Sequence, residues 1–166
     1  MIAAAQSRSM VLSVAGGLGR RLTFGALITA RALLSPVALG VSALVERDGT
    51  FLLVRHRYMS GWFLPGGGVA RAEPPAHAVL RELKEEVGLI RSAPPEFFGL
   101  YSRGAGWATN TIAVYRVAGA EIDFKPNFEI REIVFADPAA LPTDTSYGTR
   151  RRLAECTGQM PIQPHW

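Results

Sequence analysis

Gly67 to Leu89 reads GGVARAEPPAHAVLRELKEEVGL. Pro74 and Pro75 suit the opening turn of a helix, where a missing N–H costs nothing. From Ala76 to Val87 most residues are strong helix formers, and Gly88 stands where a helix stop belongs. Ala76, Val79, Leu80, Leu83 and Val87 recur at helical spacing and predict one apolar stripe. Glu82, Glu85 and Glu86 stand at i, i+3 and i+4, so three carboxylates share a face. Crowded like charges need an offset. A hard divalent cation supplies one, because Mg²⁺ takes oxygen ligands and prefers one or two carboxylates together with substrate phosphates. A carboxylate beside such a cation can also act as general base toward water. Arg81 can pair with Glu85, four residues on, or with Glu73. The run Pro65-Gly66-Gly67-Gly68 lets the backbone approach the same face and bare its carbonyls to a cation. Taken alone, the three glutamates fit a solvated helix face as well. The spacing around them separates the two readings.

That spacing is Gly67, five residues, Glu73, seven residues, Arg81-Glu82-Leu83, one residue, Glu85-Glu86, one residue, Gly88-Leu89. It resembles the Nudix box, with every fixed position filled. Leu64-Pro65-Gly66 and the upstream VRH and GWFLPGGG segments extend the likeness, which covers Val37 to Glu155 more loosely. The resemblance implies an α/β fold, an α/β/α sandwich with a mixed sheet, in which the box forms a loop–helix–loop metal site. It implies a Mg²⁺-dependent hydrolase of phosphorus-containing acid anhydrides, with Mn²⁺ able to substitute. Such an enzyme cleaves the pyrophosphate bond of a nucleoside diphosphate linked to another moiety. Carried over by position, the metal ligands are the Gly67 carbonyl, Glu82, Glu85 and Glu86. Glu82 is also the leading general base, and Glu73 orients the site through Arg81. Family members often supply a further acid from the loop before a late strand, which Glu129 matches first and Glu132 second.

The sequence departs from the family's habit at Ala70 and Ala72, where many members carry Glu and Gly. Neither is a fixed position, but Ala72 changes the turn chemistry ahead of Glu73. The proline and tyrosine that mark particular substrate classes are missing around Ala105, Gly106 and Trp107. The expected substrate is therefore a nucleotide-type small molecule of open identity. A binding module on the same fold would have lost box acids, and none is lost. An isomerase using the box would need a cysteine near the site. Cys156, the sole cysteine, instead fits a small buried residue on a C-terminal helix.

The chain of 166 residues has room for one core, and its 48% apolar and 19% charged residues describe a globular protein. One cysteine excludes an internal disulfide and a cysteine metal site. The net charge of +4 is local: residues 1–45 contain Arg8, Arg20, Arg21 and Arg31 and no acid, while the remainder is balanced. The expected organisation is a basic, apolar, helical extension over residues 1–35, followed by the catalytic domain over residues 36–166. The extension fits a helix packed on the domain, peripheral contact with an anionic membrane surface, or a transit peptide. No run in it reaches the roughly 18 apolar residues of a membrane span. No clear nucleic-acid site is expected, a homodimer is among the expected assemblies, and the expected compartment is the cytoplasm.

Val37 to Val45 and Phe51 to Arg55 predict two strands joined at Asp48-Gly49, a strong hairpin signal. Phe97 to Ser102, Asn110 to Val117 and Glu129 to Phe135 predict three more, and Thr145 to Thr157 a final helix. Arg103 to Ala108 reads as a flexible loop bordering the pocket, which makes Arg103 and Trp107 candidate substrate contacts. Arg55 and Trp62 are candidates too, Trp62 by stacking on a base or, equally, by packing in the core. His56 reads as surface or pocket rim, and His77 as the solvated side of the box helix. Arg150, Arg151 and Arg152 point three ways round their helix and read as mostly solvated.

Overall fold

The computed structural model describes residues 37–106 and 108–166. The expectations for the extension over residues 1–35 lie outside the described residues, as does Trp107.

β1 (Val37–Arg47) and β2 (Thr50–His56) form an antiparallel hairpin. Asp48 and Gly49 both take positive φ, 49° and 75°, as the tight hairpin turn demands. The chain continues through α1 (Pro75–Val87), β3 (Leu89–Arg91), β4 (Glu96–Ala105), β5 (Ala108–Val117), β6 (Glu121–Ile122), β7 (Ile130–Ala136) and α2 (Tyr147–Cys156). The main sheet has the order β4-β5-β1-β2-β7, and β3 pairs with β6 apart from it.

Alternation along the strands builds two cores. On β1, Val41, Ala43 and Val45 face one cluster and Leu44 the other; on β2, Leu52 and Val54 oppose Phe51 and Leu53. The first cluster takes in Ala78, Val79, Leu83 and Val87 of α1, and the second takes in Leu153 of α2. The sheet is therefore covered on both faces, which is why its strands read as nearly continuous apolar runs. Each fully buried Leu or Val contributes roughly 1.5–3 kcal/mol, so the stripe that marked α1 in the sequence is also what docks it.

Three local expectations change. Arg103 to Ala105 do not form a loop: β4 runs on to Ala105 and pairs residue for residue with β5, Arg103 opposite Asn110 and Ala105 opposite Ala108. Gly106, just after β4, stands at φ 62°. Glu121-Ile122, assigned to no strand above, forms β6 and pairs with β3. Arg152 is not solvated but fully buried. It stands 3.8 Å over the Tyr101 ring and donates to Glu155 at 2.7 Å, and Glu155 also accepts the Tyr101 hydroxyl at 2.9 Å. Helical geometry does point the three arginines different ways, and one of those ways is inward.

Candidate active site

α1 carries the site's acids, and its ends set their position. Pro75 opens the helix, and Gly88, at φ 71°, closes it. The buried stripe fixes the rotation about the axis, so Glu86 is turned inward with only 2% of its surface exposed. The Gly66 N–H donates to Glu86 Oε2 at 2.8 Å. Burial pushes the Glu86 carboxyl up to about 8 against that hydrogen bond, and the charges of Glu82, Glu129 and Glu85 add to the rise. Four acids expected at the site are thus electrostatically coupled. Glu129 lies in the loop just before β7, as expected.

Arg81 is the organiser. Its guanidinium donates to Glu73 twice, at 2.9 and 3.0 Å, to Glu82 at 2.8 Å, to Glu85 at 3.1 Å and to the Gly68 carbonyl at 2.9 Å. The Ala70 N–H donates to Glu73 at 2.9 Å. The Arg81 bonds first, then the Ala70 bond, hold the Glu73 carboxyl down to about 2. A Cβ at Gly67 would stand 2.4 Å from Glu82 Oε2 and would force that carboxylate to move. The Gly67 carbonyl accepts the Val41 N–H at 2.8 Å, which leaves its second lone pair for a cation.

Among the described residues no three His, Cys, Asp or Glu side chains are already gathered as a metal cage. Glu82 and Glu85 each accept a hydrogen bond from Arg81 instead. The donor set nevertheless fits a hard divalent cation. It consists of carboxylate and carbonyl oxygens, and a divalent charge would offset both the burial and, after it, the neighbouring acids that raise Glu86.

Of the candidate substrate contacts, Arg55, Trp62 and Arg103 lie among the described residues. Arg55 is engaged by Glu132 at 2.8 Å and Asp144 at 2.7 Å, and it lies 4.4 Å over the Trp62 ring. Trp62 is 8% exposed and belongs to the core, so of its two expected roles the structure gives it packing. Glu132, the second candidate acid, is occupied with Arg55. Arg103 is exposed and lines a cleft together with Phe63, Ile112 and the Gly66–Gly68 run.

The structure adds three features. Asn127 donates its amide to the Glu85 and Glu86 carbonyls at 3.3 and 3.0 Å, and its Oδ1 accepts the Glu129 and Ile130 N–H groups at 3.0 and 2.8 Å. It ties the loop of Glu129 to the end of α1. Pro126-Asn127 is a turn signal that could have marked it. Of its two readings His56 takes the pocket rim, 8% exposed and lining the cleft with Arg103, with its ring 5.6 Å from Phe63 and 5.1 Å from Tyr58. Burial lowers its pKa and the charge of Glu129 opposes that shift. Tyr58 feels the same acids: burial raises its hydroxyl, and the charges of Glu129, Glu86 and Glu82 add to the rise.

The NUDIX domain family model matches residues 36–156, from the start of the described sheet to the end of α2. The chain belongs to the NUDIX family. Its two-faced sheet between helices is the NUDIX α/β/α sandwich with a mixed sheet. The ADP-ribose pyrophosphatase of Methanocaldococcus jannaschii is 32% identical over 112 residues, 63% of this chain and 64% of that protein. The RNA pyrophosphohydrolase of Hydrogenovibrio crunogenus is 38% identical over 66 residues, 40% of this chain and 38% of that protein. The match thus spans under two thirds of the length of either relative. Among solved structures, the MutT NUDIX hydrolase from Burkholderia pseudomallei superposes with a TM-score of 0.63 at 26% identity, covering 70% of this chain and 95% of that one. A UDP-X diphosphatase reaches a TM-score of 0.59 at 20% identity, covering 74% of this chain and 64% of that one, a likeness of fold alone.

Proposed function

We propose that this NUDIX chain is a Mg²⁺-dependent pyrophosphohydrolase acting on a nucleoside diphosphate linked to another group. The observation that carries the reading is the crowded acid face of α1. Glu86 is buried beside the glycine run with Glu82, Glu85 and Glu129 acting on it, and one arginine orders Glu73, Glu82 and Glu85. The names of the ADP-ribose and RNA pyrophosphohydrolase relatives support the same class of reaction.

Glu82, Glu85, Glu86 and the free lone pair of the Gly67 carbonyl would hold the cation. When bound, it neutralises phosphate oxygens and makes water easier to deprotonate. Glu82 accepts the proton of the attacking water. Arg81 fixes its Oε1 at 2.8 Å, and the bare Cα of Gly67 leaves space at Oε2. Water attacks one phosphorus of the P–O–P bridge, the bridging P–O bond breaks, and two phosphate monoesters leave. Glu73 and Arg81 act by position. Asn127 holds Glu129 beside Glu86.

The test is product release with Mg²⁺ across ADP-ribose, UDP-sugars, nucleoside triphosphates, dinucleoside polyphosphates and 5′-triphosphorylated RNA. Turnover of at least one compound is expected. A folded protein that turns over none contradicts the hydrolase.

A further inference from the structure

The sheet slips register just after the loop of Glu129. On β2, Arg55 pairs with Glu132, but the next residue, His56, pairs with Ile130. Arg131 is therefore an extra residue in β7 with nothing opposite it. A bulge of this kind bends its strand and re-aims the extra side chain. Arg131 lines a pocket of about 280 Å³ together with Arg55, Arg57, Tyr58, Ser60 and Asp144.

The charges in this pocket do not balance. Arg55 is neutralised by Glu132 at 2.8 Å and by Asp144 at 2.7 Å. Arg131 reaches only Glu132 Oε1, at 3.4 Å, an oxygen that Arg55 already holds. Arg57 has no carboxylate partner among the described residues, and its Nε donates to the Asn127 carbonyl at 2.6 Å. Arg57 and Arg131 are both exposed. Two guanidiniums left over in one pocket call for an anion, as the glutamates of α1 call for a cation. Their planar forks of N–H donors match phosphate oxygens, and Tyr58 and Ser60 add hydroxyls.

The pocket adjoins the acid site. The Arg57 N–H donates to the Glu129 carbonyl at 2.8 Å, so Arg57 is fastened to the loop of Glu129 by backbone and side chain alike. His56 and Met59 are walls both of this pocket and of the cleft beside Gly66–Gly68. A phosphate chain lying along the acid face has the two arginines within reach of its far end.

We infer that Arg57 and Arg131 hold a phosphate group of the substrate that lies beyond the pyrophosphate bond. The group linked to the nucleoside diphosphate then begins with a third phosphate rather than with a sugar. The inference rests on the hydrolase reading for the two phosphates at the acid face. Asp144 does not oppose it, being engaged by Arg55. A hydrogen bond between charged partners is strong enough that losing it weakens binding about tenfold or more.

The test is calorimetric titration of the full chain in Mg²⁺ with two ligands that cannot be cleaved. One is ATP with both bridging oxygens of its phosphate chain replaced by methylene. The other is ADP-ribose with its bridging oxygen replaced likewise, which carries ribose where the first carries a third phosphate. Wild type is expected to bind the triphosphate more tightly. Arg131→Gln is expected to weaken the triphosphate by about tenfold or more and to leave the ADP-ribose analogue unchanged. Unchanged triphosphate affinity in Arg131→Gln, equal loss of both ligands, or wild-type binding of the triphosphate no tighter than that of the ADP-ribose analogue would each overturn the inference. Binding of inorganic phosphate that depends on Arg131, beside an unchanged triphosphate affinity, would make the pocket a site for free phosphate and overturn it too. If Arg131→Gln fails to fold, Arg57→Gln is read by the same criteria. Turnover of natural substrates tests the hydrolase separately, because these titrations break no bond.

Discussion

Arg81 grips Glu73 through two parallel hydrogen bonds, Nε to Oε1 at 2.9 Å and Nη2 to Oε2 at 3.0 Å. The same guanidinium reaches Glu82 and Glu85, so Glu73 is tied to both through Arg81. This pair makes a pH prediction. The folded Glu73 carboxyl titrates near 2, against an ordinary value of 4.5. The folded state therefore binds fewer protons than the unfolded chain in that window. Glu73 adds stability that is complete above the ordinary value and drains away as the pH falls toward about 2. Urea melts of wild type and Glu73→Gln should differ most near neutrality, draw together below the ordinary value of 4.5 and converge only at about pH 2. A difference that does not change with pH would contradict the pairing.

Ala72 holds a left-handed backbone at φ 61° in the turn before Glu73. That conformation costs an alanine roughly 1–2 kcal/mol, while glycine adds roughly 0.4–1 kcal/mol of unfolded-state entropy to the other side. Ala72→Gly should therefore stabilise the protein by about 0.5 kcal/mol, measured as a raised denaturation midpoint at constant slope. A lowered midpoint would mean the turn is not left-handed.

Asn127 bridges the last turn of α1 and the loop of Glu129 with four hydrogen bonds. Asn127→Ala leaves the exposed Glu85 carbonyl and the part-buried Glu86 carbonyl without this donor and should cost about 0.5–1.5 kcal/mol. It should also release Glu129 from Glu86, so kcat should fall while KM stays near wild type. A loss of stability with full kcat would confine Asn127 to a structural role.

Arg152 and Glu155 form an ion pair with both side chains wholly buried. Glu155→Ala should destabilise by about 3–5 kcal/mol, because it strands the Arg152 charge. The double variant Arg152→Met with Glu155→Leu should lose less than the sum of the two single changes. Additive losses in denaturant melts would show that the two residues do not depend on each other.

Legibility in the sequence followed locality. The helix of Pro75 to Val87, the Asp48-Gly49 hairpin and the acid spacing are decided within a few residues, and all appear in the fold. Glu129 was readable because the family's pattern fixes its place before a strand. The burial of Arg152 was not, since its partners Tyr101 and Trp166 come from β4 and the end of the chain. Nor was the pairing of Arg103 with Asn110, because glycine and alanine around residue 105 read as loop until the register of β4 and β5 is known. The capture of Arg55 by Glu132 and Asp144 depends likewise on strand pairing and on a distant turn. Long-range polar contacts leave no periodic trace in one sequence.

The central claim is that Glu82 takes the proton in a cation-dependent attack on a pyrophosphate bond. The most direct measurement is kcat and KM for the substrate that wild type hydrolyses with Mg²⁺, repeated with Glu82→Gln. The predicted result is a fall in kcat of about 10²–10⁴-fold with KM changed by only a few-fold. Comparable kcat in Glu82→Gln, with the fold intact by thermal melt, would contradict it.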